Sequence, residues 1–187
     1  MCLILFAVNP NSRYRLIAAA NRDELYARPT QIAGFWDSHP GLLAGQDENM
    51  GGTWLGVNKN GSFAAVTNFM EIPPDPLPSR SRGDLPTGFL TNDRDPKAYL
   101  DTVSSRENTY KGFNLIVANE TKCGYYGNRA GAPRELGKGY YGLSNQILNC
   151  DWPKVIAGRT KLAAIISAFD DPSEALFSLL LNQGDDR

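Results

Sequence analysis

Residues 1–8 read MCLILFAV, and the reading of this stretch decides the fold. From Cys2 to Val8 the chain holds only apolar side chains and a thiol, and it is bounded by NPNS at 9–12. A short run rich in β-formers and closed by a turn signal predicts a buried strand. The thiol directly behind the initiator methionine has two readings. Cys2 is a small hydrophobe capping the strand, as free cysteine commonly is. Alternatively, Met1 is removed and Cys2 becomes the first residue, with a free amine beside its own thiol. The next apolar run, YRLIAAA, predicts a returning strand, although alanine is a weak strand former. A turn centred near residues 10–12 sets residue 2 opposite about residue 20 in an antiparallel pair. Asn21, Arg22 and Asp23 then arrive beside Cys2.

The totals agree with one soluble domain over residues 1–187. The chain carries 19 basic and 20 acidic residues, net −1, in no long block of either sign, which argues against nucleic-acid partners and a polybasic membrane patch. Eighteen glycines and twelve prolines promise many turns. The cysteines, Cys2, Cys123 and Cys150, are odd in number and widely spaced, so they form no disulfide framework. With His39 the only histidine and no Cys-x-x-Cys, no zinc site is expected. A strand beginning at Cys2 leaves no room for a signal peptide. No apolar run nears the roughly 20 residues that span a bilayer. The expected location is therefore cytoplasmic, with reduced thiols and unused sequons at Asn60 and Asn119. The sequence assigns no oligomeric state.

Further along, GTWLGVNKNGSFAAVTNF predicts a hairpin about Asn60-Gly61, because both residues tolerate positive φ. The proline-rich EIPPDPLPSRSR at 71–82 predicts a loop long enough for a lid or binding edge. GDLPTGFL and PKAYLDTVSS predict short helices, the second capped by Asp95 ahead of Pro96. GFNLIVAN and CGYYGNR predict another hairpin across ETK, and GYYGLSNQ a short strand ending in a polar turn. In PKVIAGRTKLAAIISAF, the apolar Val155, Ile156, Leu162, Ile165, Ile166 and Phe169 approach helical spacing. DPSEALFSLLLNQ predicts a final helix capped by Asp171 or Ser173. Hairpins and short helices followed by two helices predict an α+β fold with antiparallel sheets. GGTWLG has neither dinucleotide-loop spacing nor a Gly-Lys-Ser/Thr end, and it runs into a hairpin, so phosphate binding there is not expected.

The chemistry follows from what is scarce. A Ser-His-Asp triad is disfavoured, because His39 lies in SHPG, read as a surface loop. A carboxylate pair for glycoside cleavage can be drawn from Asp23, Glu24 and Asp47, but no spacing favours it. An N-terminal nucleophile needs no histidine. An α-amine titrates near about 7.7–8.0 and a thiol near about 8.5, so the amine can take the thiol proton near neutrality.

AAANRDELYARP, GGTWLGVNKNGSFAAVTNF, RSRGDL, YKGFNLIVAN and YYGLSNQILNCDWPKV together resemble the NRDE family, also called the Transport and Golgi organisation protein 2 family. The resemblance covers essentially the whole chain. It implies an N-terminal nucleophile (Ntn) hydrolase-like, four-layer αββα fold with two stacked antiparallel sheets, related to conjugated-bile-acid hydrolases and penicillin V acylases. By that likeness Cys2 is the nucleophile and Asp23 holds its α-amine. Asn68 and Asn145 donate to the oxyanion, and Arg159 lies near the nucleophile. Asn21, Arg22 and Trp54 are candidates for the substrate side. Two departures stand out. Ala20 occupies the place of an arginine that the hydrolases carry before Asn-x-Asp, and Arg22, by strand alternation, points away from Asp23. The chain also stops at LLLNQGDDR, where family members usually add sheet-completing strands, so either an open sheet edge or a C-terminally shortened domain is expected.

Two functions compete. One is an amidohydrolase cleaving the C–N bond of a small acyl-amide through a Cys2 thioester, without metal or cofactor. The other, which the resemblance also permits, is a non-catalytic carrier or chaperone for a hydrophobic small molecule, haem or lipid, with Cys2 or His39 as candidate haem ligands. Each residue also has a structural reading: Asp23 pairing with Arg22 or Arg28, Asn68 and Asn145 shaping turns, Arg159 solvated on a helix, Trp36 and Trp54 in the core or a pocket wall.

Overall fold

The computed structural model describes residues 2–73, 80–92 and 94–181. The chain forms two compact units, Met1–Asp23 with Gly137–Arg187, and Glu24–Leu136. The α+β expectation holds: the described residues form one antiparallel sheet of three strands, another of seven, and four α-helices.

In the first unit, β1 (Leu3–Val8) lies between β2 (Leu16–Asn21) and β10 (Gly139–Leu143). All six β1 residues are buried, which accounts for a run with no polar alternation. Leu3, Leu5 and Ala7 pack in one cluster with Val155, Leu162 and Ile166 of α3 (Pro153–Ala168) and Leu176 and Leu179 of α4 (Ser173–Leu181). Gly158 allows the close approach of α3, since a Cβ there would lie 2.8 Å from Leu5 Cδ2. Pro153 opens α3, where a missing N–H costs nothing. The Asp171 carboxylate accepts from the Ser173 amide and hydroxyl at the head of α4. Ile156 and Phe169, expected on the apolar face of α3, are exposed instead.

The β1–β2 register corrects the expected pairing. Val8 pairs with Leu16 and Ile4 with Ala20, so the hairpin is centred on Ser12 and Leu3, not residue 2, meets the end of β2 at Asn21. The cause is a wider loop. Asn9 donates its amide to the Arg15 carbonyl, and Asn11 Oδ1 accepts from the amides of Arg13 and Tyr14.

The second unit carries a sheet in simple sequence order: β3 (Thr30–Trp36), β4 (His39–Asp47), β5 (Leu55–Asn58), β6 (Phe63–Asn68), β7 (Phe113–Ala118), β8 (Cys123–Gly127) and β9 (Arg134–Glu135). Helices α1 (Asp84–Leu90) and α2 (Pro96–Ser104) pack Leu85, Phe89, Leu100 and Val103 into a core with Leu42, Val66, Phe113 and Leu115 of the sheet. Asp95 caps α2 as expected, its side chain accepting from the Ala98 amide. The β3–β4 hairpin corrects the surface-loop reading of SHPG: His39 opens β4 and pairs with Trp36. Inside the sheet, buried Asn114 donates to Thr67 Oγ1 and accepts from the Tyr125 hydroxyl.

GGTW and RGDL owe their form to packing. A Cβ on Gly52 would lie 2.6 Å from the Gly83 carbonyl carbon, so two stretches of main chain touch where only hydrogen fits. The contact is fastened by the Thr53 amide, which donates to Thr87 Oγ1 at 3.3 Å and to the Gly83 carbonyl at 3.4 Å. Of the expected loop at 71–82, residues 74–79 lie outside the described residues. At its end the half-buried Arg82 donates to the Gly112 carbonyl, and burial lowers its pKa.

Candidate functional site

Cys2 sits half-buried just ahead of β1. Its carbonyl accepts from the Ser144 hydroxyl at 2.6 Å, which ties the chain start to the turn after β10. Its Sγ faces the main-chain oxygen of Asp23 at 3.9 Å, a weak contact made by the backbone of Asp23. Thus the hairpin does deliver NRD to the thiol. Asn145 follows Ser144 directly, and its amide oxygen is buried. At the end of β2, Asn21 Nδ2 donates to the Leu180 carbonyl of α4 at 3.0 Å. Arg22 is half-buried and Asp23 exposed.

Arg159 Nε donates to the Tyr140 carbonyl at 3.2 Å, and its stem covers Gly142. Tyr140 precedes Ser144 by four residues, a strand distance of roughly 13 Å. The arginine therefore fastens α3 to the far part of β10. The cation at the Cys2 end of α3 is Lys154, in its first turn. Burial lowers the pKa of the Lys154 ammonium, while Asp23, Cys2 and Cys150 pull it upward. The same ammonium stands 5.5 Å from the centroid of the Trp152 ring. Lys154 and Cys150 went unread as site residues although they lie in NCDWPK, a stretch quoted for the family resemblance. A cysteine and a lysine flanking a helix-opening proline were the available signal.

The structure therefore brings Cys2, Asp23 and Asn145 to one end of the three-stranded sheet, within electrostatic range of Lys154. Asn68 and Trp54 belong to the second unit. Asn68 is exposed at the end of β6, paired with Phe113, and Trp54 is half-buried against that unit's core. Trp36 is a core residue whose indole donates to the Ala44 carbonyl.

The carboxylates offered for glycoside cleavage are otherwise engaged. Arg28 Nη2 meets Asp47 Oδ2 at 2.5 Å, and Arg28 Nε lies 3.9 Å from Glu24. Burial pushes the Asp47 carboxyl up, but hydrogen bonds from Arg28 and from the amides of Asn49 and Met50 outweigh it and hold it below its ordinary range. Arg28 thus serves Asp47 and Glu24. His39 is exposed, with Nδ1 3.0 Å from Ser38 Oγ and its ring edge-on to Trp36. No group of three or more metal-ligating side chains occurs among the described residues. No helix among them is long and apolar enough to cross a membrane.

Two antiparallel sheets with helices on each, and a cysteine leading the central strand of the smaller, define an α+β protein with its candidate nucleophile at the chain start. The family model for Transport and Golgi organisation 2 matches residues 1–186, and the chain belongs to that family. It is 42% identical over 197 residues to the Transport and Golgi organization protein 2 homolog of Homo sapiens, covering 97% of this chain and 71% of the relative. A Bos taurus homolog of the same name is 42% identical over 196 residues, covering 97% and 70%. The Drosophila melanogaster Transport and Golgi organization protein 2 is 25% identical over 201 residues, covering 98% and 71%.

Proposed function

We propose that this protein is an Ntn-type cysteine amidohydrolase acting on a small acyl-amide. The observation that carries the reading is the thiol of Cys2, half-buried beside Asp23 and within electrostatic reach of Lys154. After removal of Met1, the free α-amine takes the thiol proton. The sulfur attacks the amide carbonyl, the C–N bond breaks, and the leaving amine departs with that proton. Water then hydrolyses the thioester, restoring the thiol and releasing the carboxylic acid. Asn145 donates to the oxyanion in this scheme, and the Asp23 carboxylate holds the α-amine. Lys154 adds a fixed positive charge that favours a substrate carrying a carboxylate on its leaving amine.

The test is turnover of a panel of N-acyl amino acids by the wild type and Cys2→Ser, with Met1 removal checked by intact mass. Turnover of at least one acyl amino acid by the wild type, lost in Cys2→Ser, is the expected result. A processed wild type that hydrolyses none of them, or a serine variant equally active, overturns the reading.

A further inference from the structure

The second unit carries a cleft of about 200 Å³ between α1, α2 and the segment that leads to β7. It contains none of the residues at the Cys2 centre. Arg80, Arg94 and Arg106 line it, against a single carboxylate, Asp84. Asp84 is matched by Arg80 at 3.4 Å, which leaves two guanidinium charges in excess. The guanidinium groups are held over aromatic rings: Arg80 lies 5.9 Å from the Tyr110 centroid and Arg94 5.8 Å from that of Tyr99. A guanidinium over a ring face keeps N–H groups at its planar edge that can donate to a ligand.

The floor is fixed and apolar. The Tyr99 hydroxyl donates to the Leu85 carbonyl at 2.6 Å, and Leu85 and Val103 are buried. Burial raises the pKa of both tyrosines, against Arg94 and Arg106 at Tyr99 and against Arg80 and Arg106 at Tyr110. Gly88 keeps the floor open, since a Cβ there would lie 2.9 Å from the Tyr99 hydroxyl oxygen.

We infer that this cleft binds the phosphate group of a small phosphate monoester, with its organic part against the Tyr99–Tyr110 floor. A phosphate monoester carries about −1.5 to −2 at neutral pH, which matches two surplus guanidinium groups; a carboxylate would neutralise one. Arginine forks also suit phosphate oxygens bidentately. The volume falls below the roughly 300–1,000 Å³ of drug-sized sites, so the ligand is small, a phosphate and one ring or a short chain. The site shares no residue with the Cys2 centre, and its occupancy is independent of amide hydrolysis.

Isothermal titration of the full chain with phenyl phosphate, benzoate and phenol tests this. Phenyl phosphate should bind saturably, benzoate more weakly and phenol not measurably. Arg94→Gln and Arg106→Gln should each weaken phenyl phosphate roughly tenfold. Arg134→Gln, whose guanidinium stacks on Tyr125 elsewhere in the unit, should change it less than about twofold. Sedimentation with phosphatidylcholine vesicles containing phosphatidic acid identifies the source. Capture that phenyl phosphate displaces assigns a lipid headgroup, and no capture assigns a soluble ester. Absence of saturable phenyl phosphate binding at millimolar concentration, or affinity unchanged in folded Arg94→Gln and Arg106→Gln proteins, overturns the inference.

Discussion

Replacing Gly52 by alanine should destabilise the protein by about 2 kcal/mol or more. Carbon atoms in contact prefer about 3.5–4.0 Å. The new methyl would sit 2.6 Å from the Gly83 carbonyl carbon, 2.8 Å from its oxygen and 2.9 Å from its Cα. Overpacking against side chains costs about 1–3 kcal/mol, and here no side chain can rotate aside, so the upper end, about 3 kcal/mol, applies. The reduced entropy of the unfolded chain returns up to about 1 kcal/mol. The neighbouring Gly51 is limited differently: its φ is +77° and nothing lies within 4 Å of an added Cβ. Gly51→Ala should therefore cost about 1–2 kcal/mol through backbone conformation, and Gly51→Asn should recover part of that because asparagine tolerates the left-handed region. Gly52→Asn should recover nothing. Gly41→Ala, with open space around it, is the neutral control. Urea unfolding followed by circular dichroism gives all five values. A Gly52→Ala loss below about 1 kcal/mol, or rescue of position 52 by asparagine, would refute the packing account of GGTW.

Iodoacetamide at neutral pH should label Cys2 in preference to Cys123, whose thiol is buried and pushed up to about 12 by that burial and by Glu135; peptide mapping reads the ratio. The Arg28–Asp47 pair should contribute roughly 1 kcal/mol after solvent screening, seen as a lower unfolding midpoint for Asp47→Asn. Because the Asp47 pKa is lowered on folding, that difference should persist above the unfolded carboxyl pKa of about 3.9 and vanish as pH falls through the folded value. Gly158→Val should lower the unfolding midpoint far more than Thr160→Val, since only position 158 presses on Leu5 under the strand that Cys2 leads.

Much of this architecture is written locally. The apolar runs of β1 and β7 and the Asn60-Gly61 hairpin are legible because burial on both faces, or a turn that needs positive φ, leaves few alternatives. The Asp95-Pro96 helix start is legible for the same reason: cap and proline act within one turn. The β3–β4 hairpin is hidden because its outer strand is largely solvated: Ile32 is 92% and Phe35 57% exposed, so no apolar alternation marks it. Strand β9 is two residues long and leaves no pattern at all. The β1–β2 register slipped because the Asn9–Arg15 closure widens the loop, and side-chain capping by Asn11 carries no periodicity. Of the site, the Cys2–Asp23 juxtaposition follows from hairpin arithmetic, whereas the Lys154 charge comes within electrostatic range of Cys2 only through the docking of α3 on β1, a tertiary event. Arg159 shows the converse, since motif position placed it near the nucleophile while its main-chain partner lies well along β10.

The central claim is most directly tested by rapid-quench intact-mass spectrometry of the purified protein with a slowly hydrolysed N-acyl amino acid. The account predicts a chain that begins at Cys2 and gains the acyl mass on that residue. A chain that retains Met1, or one that begins at Cys2 and takes up no acyl group from a compound it hydrolyses, would contradict it.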